Sequence, residues 1–127
     1  MRAVLQNQEG KFLLLKRSAR TDIAPDKWEF AGGKIDPGEN FVAALIREVK
    51  EETGFDVEPV KILGASEWEK KNLITVYLYT QVKIVAGIFQ LSPEHQDFKW
   101  VMMSEIPSLD LAPQMMEFVK SDLKKVI

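Results

Sequence analysis

The chain's 127 residues are 46% apolar and 28% charged, an ordinary globular composition with enough length for a buried core and no bias toward disorder. The 17 basic and 19 acidic residues leave a net charge of −2, which excludes the broad positive field that holds nucleic acid polymers. With no cysteine, disulfides, thiolate metal sites and cysteine nucleophiles are excluded.

One domain over residues 1–127 is the expectation at this length. No apolar run approaches the roughly 18 residues of a membrane span. The segment MRAVLQNQEGKF lacks the apolar centre of a signal peptide. A cytoplasmic protein without a membrane partner is therefore expected.

Arg2–Gln6 and Phe12–Lys16 are mostly apolar and flank Asn7-Gln8-Glu9-Gly10, which predicts two strands joined by a turn. Ser18–Asp26 mixes charges with Pro25 and reads as a loop. Trp28–Ala31 predicts a short strand ending at Gly32-Gly33, with Trp28 and Phe30 in the core. After a turn at Asp36-Pro37-Gly38 comes a helix over Asn40–Thr53, with Asn40 as N-cap and Gly54 at its C-terminal end. Val57–Ala65, Ile74–Val85 and Phe98–Met102 predict further strands, and Ser104–Pro107 a turn. Met115, Met116, Val119, Leu123 and Val126 recur at helical spacing and predict an amphipathic C-terminal helix with its methionines in the core. Strands, helix, strands, helix imply an α+β fold with a mixed sheet between helices.

The charge is uneven. Lys34–Asp56 carries Asp36, Glu39, Glu48, Glu51, Glu52 and Asp56 against Lys34, Arg47 and Lys50, a local charge of −3. On a helix at about 100° per residue, Glu52 lies near +40° and Glu51 near −60° from Glu48. Leu45, Val49, Val42 and Ile46 fall on the adjacent arc as the core stripe. Three carboxylates on one face repel unless a cation lies among them, and the helix C-terminus makes that charge costlier. All-oxygen ligands without cysteine suit Mg²⁺ or Mn²⁺ better than Zn²⁺, with water and phosphate oxygens completing the coordination. Arg47 can pair with Glu51 one turn later.

These residues carry a resemblance. Gly33, Glu39 and the run Arg47-Glu48-Val49-Lys50-Glu51-Glu52-Thr53-Gly54-Phe55 are similar to a complete Nudix box, and LLLKR, KWEFAGGKIDPGE and PEHQDFKWV extend the likeness along the chain. The length resembles that of small MutT-like members. The resemblance implies an α/β/α sandwich around a mixed sheet, and Mg²⁺- or Mn²⁺-dependent hydrolysis of a nucleoside diphosphate linked to another group. The favoured case is a nucleoside or deoxynucleoside triphosphate cut to a monophosphate and pyrophosphate. Alternatives are ADP-ribose or another nucleotide sugar, or a nucleotide-sensing module without turnover.

By the same resemblance, Glu48, Glu51, Glu52 and the Gly32 carbonyl match metal ligands. Glu48 matches a proposed general base, and Glu94 an acid that binds metal or orients water. Gly33, Glu39, Arg47 and Gly54 match positions that shape and brace the loop–helix–loop. Arg17 and Lys34 are candidates for phosphate contact, and Glu29 for facing the substrate pocket, although a loop arginine or a strand-end glutamate is often only solvated. The lone His95 reads as incidental. Two positions depart from the pattern: Ala31 stands where the family commonly has proline, and Leu111-Ala112-Pro113-Gln114 lacks the asparagine associated with oxidised guanine. The resemblance implies a small nucleotide as substrate, and a homodimer is left open.

Overall fold

The computed structural model describes residues 1–126; residue 127 and the side chain of Val126, expected on the core stripe, lie outside the described residues. Strand β1 (Arg2–Leu5) pairs antiparallel with β4 (Ala31–Gly32) and parallel with β6 (Leu73–Gly87), which pairs antiparallel with β5 (Phe55–Lys70). The order β4-β1-β6-β5 is the expected mixed sheet. A second, antiparallel sheet has the order β3-β2-β7, from Trp28–Glu29, Phe12–Arg17 and His95–Val101.

Trp28–Ala31 is thus not one strand. Trp28 and Glu29 pair with Lys16 and Leu15, whereas Ala31 and Gly32 pair with Ala3 and Arg2. Phe30 lies between the two sheets and is fully buried. No sequence pattern marks the break, because both halves are buried and apolar runs do not reveal which partner they meet.

Both faces of the central strands are covered, which explains why their sequences are apolar without alternation. Ala3, Leu5, Leu13 and Leu15 pack with Leu45 and Val49 of helix α1 (Phe41–Thr53). Val4, Phe12 and Leu14 pack with Met115, Phe118, Val119 and Leu123 from the C-terminal helical segment. The layers are therefore helix, sheet, helix. Each fully buried Leu or Val contributes about 1.5–3 kcal/mol relative to exposure.

Helix α1 begins and ends on its own local signals. The Asn40 side chain accepts a hydrogen bond from the Ala43 N–H at 2.8 Å, and Gly54 closes the helix at φ 78° with its N–H on the Lys50 carbonyl. A Cβ at Gly54 would strike the Ile88 carbonyl. Val42, expected on the core stripe, is 48% exposed. Phe41 packs on the core at that end instead, and the buried arc shifts to include Glu52.

The C-terminal segment is α2 (Pro113–Phe118), a π-helical turn (Val119–Leu123) and α3 (Lys124–Val126). Met115 is buried, but Met116 is 44% exposed, so only one of the expected pair is core. Strand β5 runs on to Lys70, well past its expected end at Ala65, whereas β6 lies close to the expected Ile74–Val85. The charged EWEKK stretch belongs to a hairpin whose outer part is exposed, where burial imposes no apolar pattern. β5 is the edge strand, and its register shifts at three places along Asp56–Gly64, around Pro59. No helix among the described residues is long and apolar enough to cross a membrane.

Candidate active site

A cleft of about 1290 Å³ opens where Gly32-Gly33, the C-terminal half of α1, the loop after β2 and the turn before β7 meet. Glu48, Glu51, Glu52 and Glu94 line it, together with Arg2, Arg17, Arg20 and Lys34. Carboxylates and cations within one cleft suit a ligand that carries both metal and phosphate.

The three helix acids occupy different environments. Glu51 is exposed. Glu48 is partly buried, and a Cβ at Gly33 would collide with its carboxylate, so only glycine admits it there. Glu52 is 95% buried and accepts one hydrogen bond, from the Gly32 N–H at 3.2 Å. Burial pushes its carboxyl up to about 7, against the pull of His95 and Arg2. Burial also raises Glu48, with Arg47 opposing and Glu51 and Glu94 adding to the rise.

Arg47 organises the loop below. Its Nε and Nη2 donate to Glu39 at 2.7 and 2.9 Å, its Nη2 to the Lys34 carbonyl at 3.2 Å, and its Nη1 to Glu48 at 3.0 Å and Glu51 at 3.3 Å. Hydrogen bonds from Arg47 and the Asp36 N–H hold the Glu39 carboxyl down at about 2. Arg47 and Glu39 thus tie the entry loop to the helix, and Gly54 ends the helix.

The donor chemistry fits a divalent cation. Glu48, Glu51, Glu52, Glu94 and the Gly32 carbonyl present only oxygen, and the raised Glu52 carboxyl gains most from a nearby positive charge. Among the described residues, no three acidic or imidazole groups converge into a ready cage. The acids line a wall that further oxygen ligands would complete, and the Gly32 carbonyl also accepts from Arg2 at 3.3 Å.

Glu29 is placed differently from the expectation that it faces the substrate. It is 1% exposed and lies behind the cleft lining. Its carboxylate meets Arg2 at 3.2 Å, Arg17 at 2.9 Å and the His95 Nε2 at 3.1 Å. Burial alone would raise its carboxyl, but Arg2, His95 and Arg17 together hold it below the usual range. His95 is therefore not incidental: it is buried, reaches the cleft and joins this cluster. Arg2 was also hidden, because a strand arginine beside apolar residues carries no sequence signal of its partner.

Arg17 and Lys34 line the cleft. Arg17 is held between Glu29 and the Ile23 carbonyl, which its Nε meets at 2.7 Å. The lining also includes the uncharged Leu73, Thr75, Val76, Tyr77 and Gln114, with the Arg2 guanidinium 5.7 Å from the Tyr77 ring centre. Gln114 is 96% buried. The Tyr79 hydroxyl donates to its backbone carbonyl at 3.1 Å and contacts the Ser66 hydroxyl at 2.9 Å, fixing the start of α2.

Known proteins resemble this chain in sequence and fold. The model of the NUDIX domain matches residues 1–121. A CTP pyrophosphohydrolase of Escherichia coli (strain K12) is 34% identical over 111 residues, covering 87% of this chain and 81% of that protein. The nucleoside triphosphatase NudI of Enterobacter sp. (strain 638) is 30% identical over 122 residues, covering 85% of this chain and 84% of that protein. Among solved structures, the MutT protein from Methanosarcina mazei Go1 superposes with a TM-score of 0.84 at 31% identity, covering 94% of this chain and 87% of that one. The box, the layered fold and likenesses that span most of the chain lead to one conclusion, that this protein belongs to the Nudix family.

Proposed function

We propose that the chain is a pyrophosphohydrolase that cuts a nucleoside or deoxynucleoside triphosphate into a monophosphate and pyrophosphate. The observation that carries this is one cleft lined by four carboxylates (Glu48, Glu51, Glu52 and Glu94), by the cations Arg17 and Lys34, and by Tyr77 and Gln114. The charged groups suit a polyphosphate with its metal. Tyr77 and Gln114 suit a base, which offers a ring face and an edge of donors and acceptors. The relatives named for triphosphate substrates favour a triphosphate over a nucleotide sugar.

Glu48, Glu51, Glu52 and the Gly32 carbonyl would hold Mg²⁺ or Mn²⁺, which when bound supplies Lewis-acid polarisation of phosphate oxygens. Arg17 and Lys34 hold phosphate oxygens and orient the chain of phosphates. Glu48 or Glu94 accepts the proton of the attacking water. The water oxygen bonds to phosphorus, and the bond to the oxygen bridging the first two phosphates breaks. Arg47 and Glu39 hold the loop and helix at the spacing this requires.

The test is Glu51→Gln, assayed with saturating Mg²⁺ on a panel of nucleotides. A fall of at least about 100-fold in turnover is expected. Near-native turnover would sink the assignment, and hydrolysis of nucleotide sugars alone would move the substrate class.

A further inference from the structure

A bulge at the start of β7 changes what His95 can do. Strands β2 and β7 pair Leu15 with Phe98 and Lys16 with Asp97, but Arg17 pairs with His95, so Gln96 is an extra residue. Regular alternation would put His95 on the face of Asp97, which is exposed. The bulge turns it to the face of Leu15 and Arg17, which Glu29 shares through its pairing with Leu15.

The buried ring is used at both nitrogens. Nε2 lies 3.1 Å from the Glu29 carboxylate and Nδ1 lies 3.2 Å from the Ser92 hydroxyl. Ser92 and His95 bracket the turn that carries Glu94, and the His95 N–H closes it on the Ser92 carbonyl at 3.2 Å. The same turn is tied to the helix by the Ser92 N–H on the Glu52 carbonyl at 3.2 Å, and to the β2 loop by the Ser18 N–H on the Glu94 carbonyl at 3.3 Å. One imidazole therefore joins the Glu94 turn to the carboxylate that also holds Arg17.

We propose that His95 is a positioning residue for the reaction, clamping the Glu94-bearing turn to the Glu29–Arg17 pair so that Glu94 and Arg17 keep a fixed spacing across the cleft. This rests on the pyrophosphohydrolase reading and takes Glu94, of its two candidates, as the group that acts on water, with Arg17 on phosphate. His95 touches neither substrate nor metal in that role, and acts through its neighbours.

The test is a double-mutant cycle. His95→Asn keeps the hydrogen bond toward Ser92 and removes the one toward Glu29. In the native background it should lower kcat about 10-fold while KM stays within about twofold, because misplacement affects chemistry more than binding. In a Glu94→Gln background the same substitution should change kcat less than about twofold, because the group it positions is gone. Equal losses in both backgrounds would show a merely structural residue and overturn the proposal. So would no loss from His95→Asn, or native turnover by Glu94→Gln alone. If His95→Asn does not fold, Ser92→Ala cuts the clamp at its less buried end and should show the same dependence on Glu94. A native chain that hydrolyses no nucleotide at all would instead refute the underlying function.

Discussion

The Glu52 carboxylate makes a prediction about stability that is separate from turnover. Its carboxyl is raised from 4.5 to about 7 by burial, so between those values the folded chain binds a proton that the unfolded chain does not. Stability from this group therefore falls by about 1.4 kcal/mol per pH unit as pH rises from about 4.5 to 7, and stays lower above that. The total is about 3 kcal/mol. Glu52→Gln removes the charge and keeps an oxygen to accept from the Gly32 N–H. In chelator at pH 8, the variant should be more stable than the native chain by up to about 3 kcal/mol, a shift of roughly 1–2 M in the urea midpoint. At pH 4.5 the two should nearly coincide. Mg²⁺ should stabilise the native chain at pH 8 and leave the variant nearly unchanged, because a cation that binds the fold removes the same cost. Parallel stability curves for the two chains from pH 4.5 to 8 would refute the reasoning, and so would equal stabilisation of both by Mg²⁺.

Two further outcomes follow from the site's packing. Gly33→Ala drives a methyl into the Glu48 carboxylate and should cost at least about 10-fold in kcat, with an unchanged far-UV circular dichroism spectrum; retained turnover would show that Glu48 need not sit there. Glu29→Gln should act in acid. The native carboxyl is held below its usual value, so its stabilisation is full above about pH 4.5 and is lost as pH falls below it; the variant should start less stable at pH 7 and lose less on acidification, as read by urea midpoints.

What could be read from sequence was local. Asn40 and Gly54 bounded α1 correctly because a cap acts within a turn of its own residue. Arg47 reached Glu51 because helical spacing alone brings them together. The acids appeared on one wall for the same reason. Their unequal burial did not, because Glu52 is covered by strands distant in sequence, and the Gly32 N–H reaches it across 20 residues. His95 was misread because a one-residue bulge decides its face, and Gln96 carries no mark of being extra. Glu29 drew attention as a glutamate beside a motif, but its three partners come from β1, β2 and β7, which only the fold assembles. Gln114 was noted only as part of a departure from a pattern, while its burial in the cleft lining is visible only in the fold, where Tyr79 and Ser66 fix the start of α2.

The outer strand β5 has a consequence for the chain's behaviour at high concentration. Sixteen residues of free strand edge would ordinarily invite a second molecule to add on, strand by strand. The three shifts in register break that edge over Asp56–Gly64, and Pro59 offers no N–H to a newcomer. The regular run that remains, Gly64–Lys70, carries exposed Glu67, Glu69 and Lys70, whose charges oppose the pairing of a second copy. The irregularities that make β5 a poor regular strand therefore let a long hairpin stand in water without seeding aggregates.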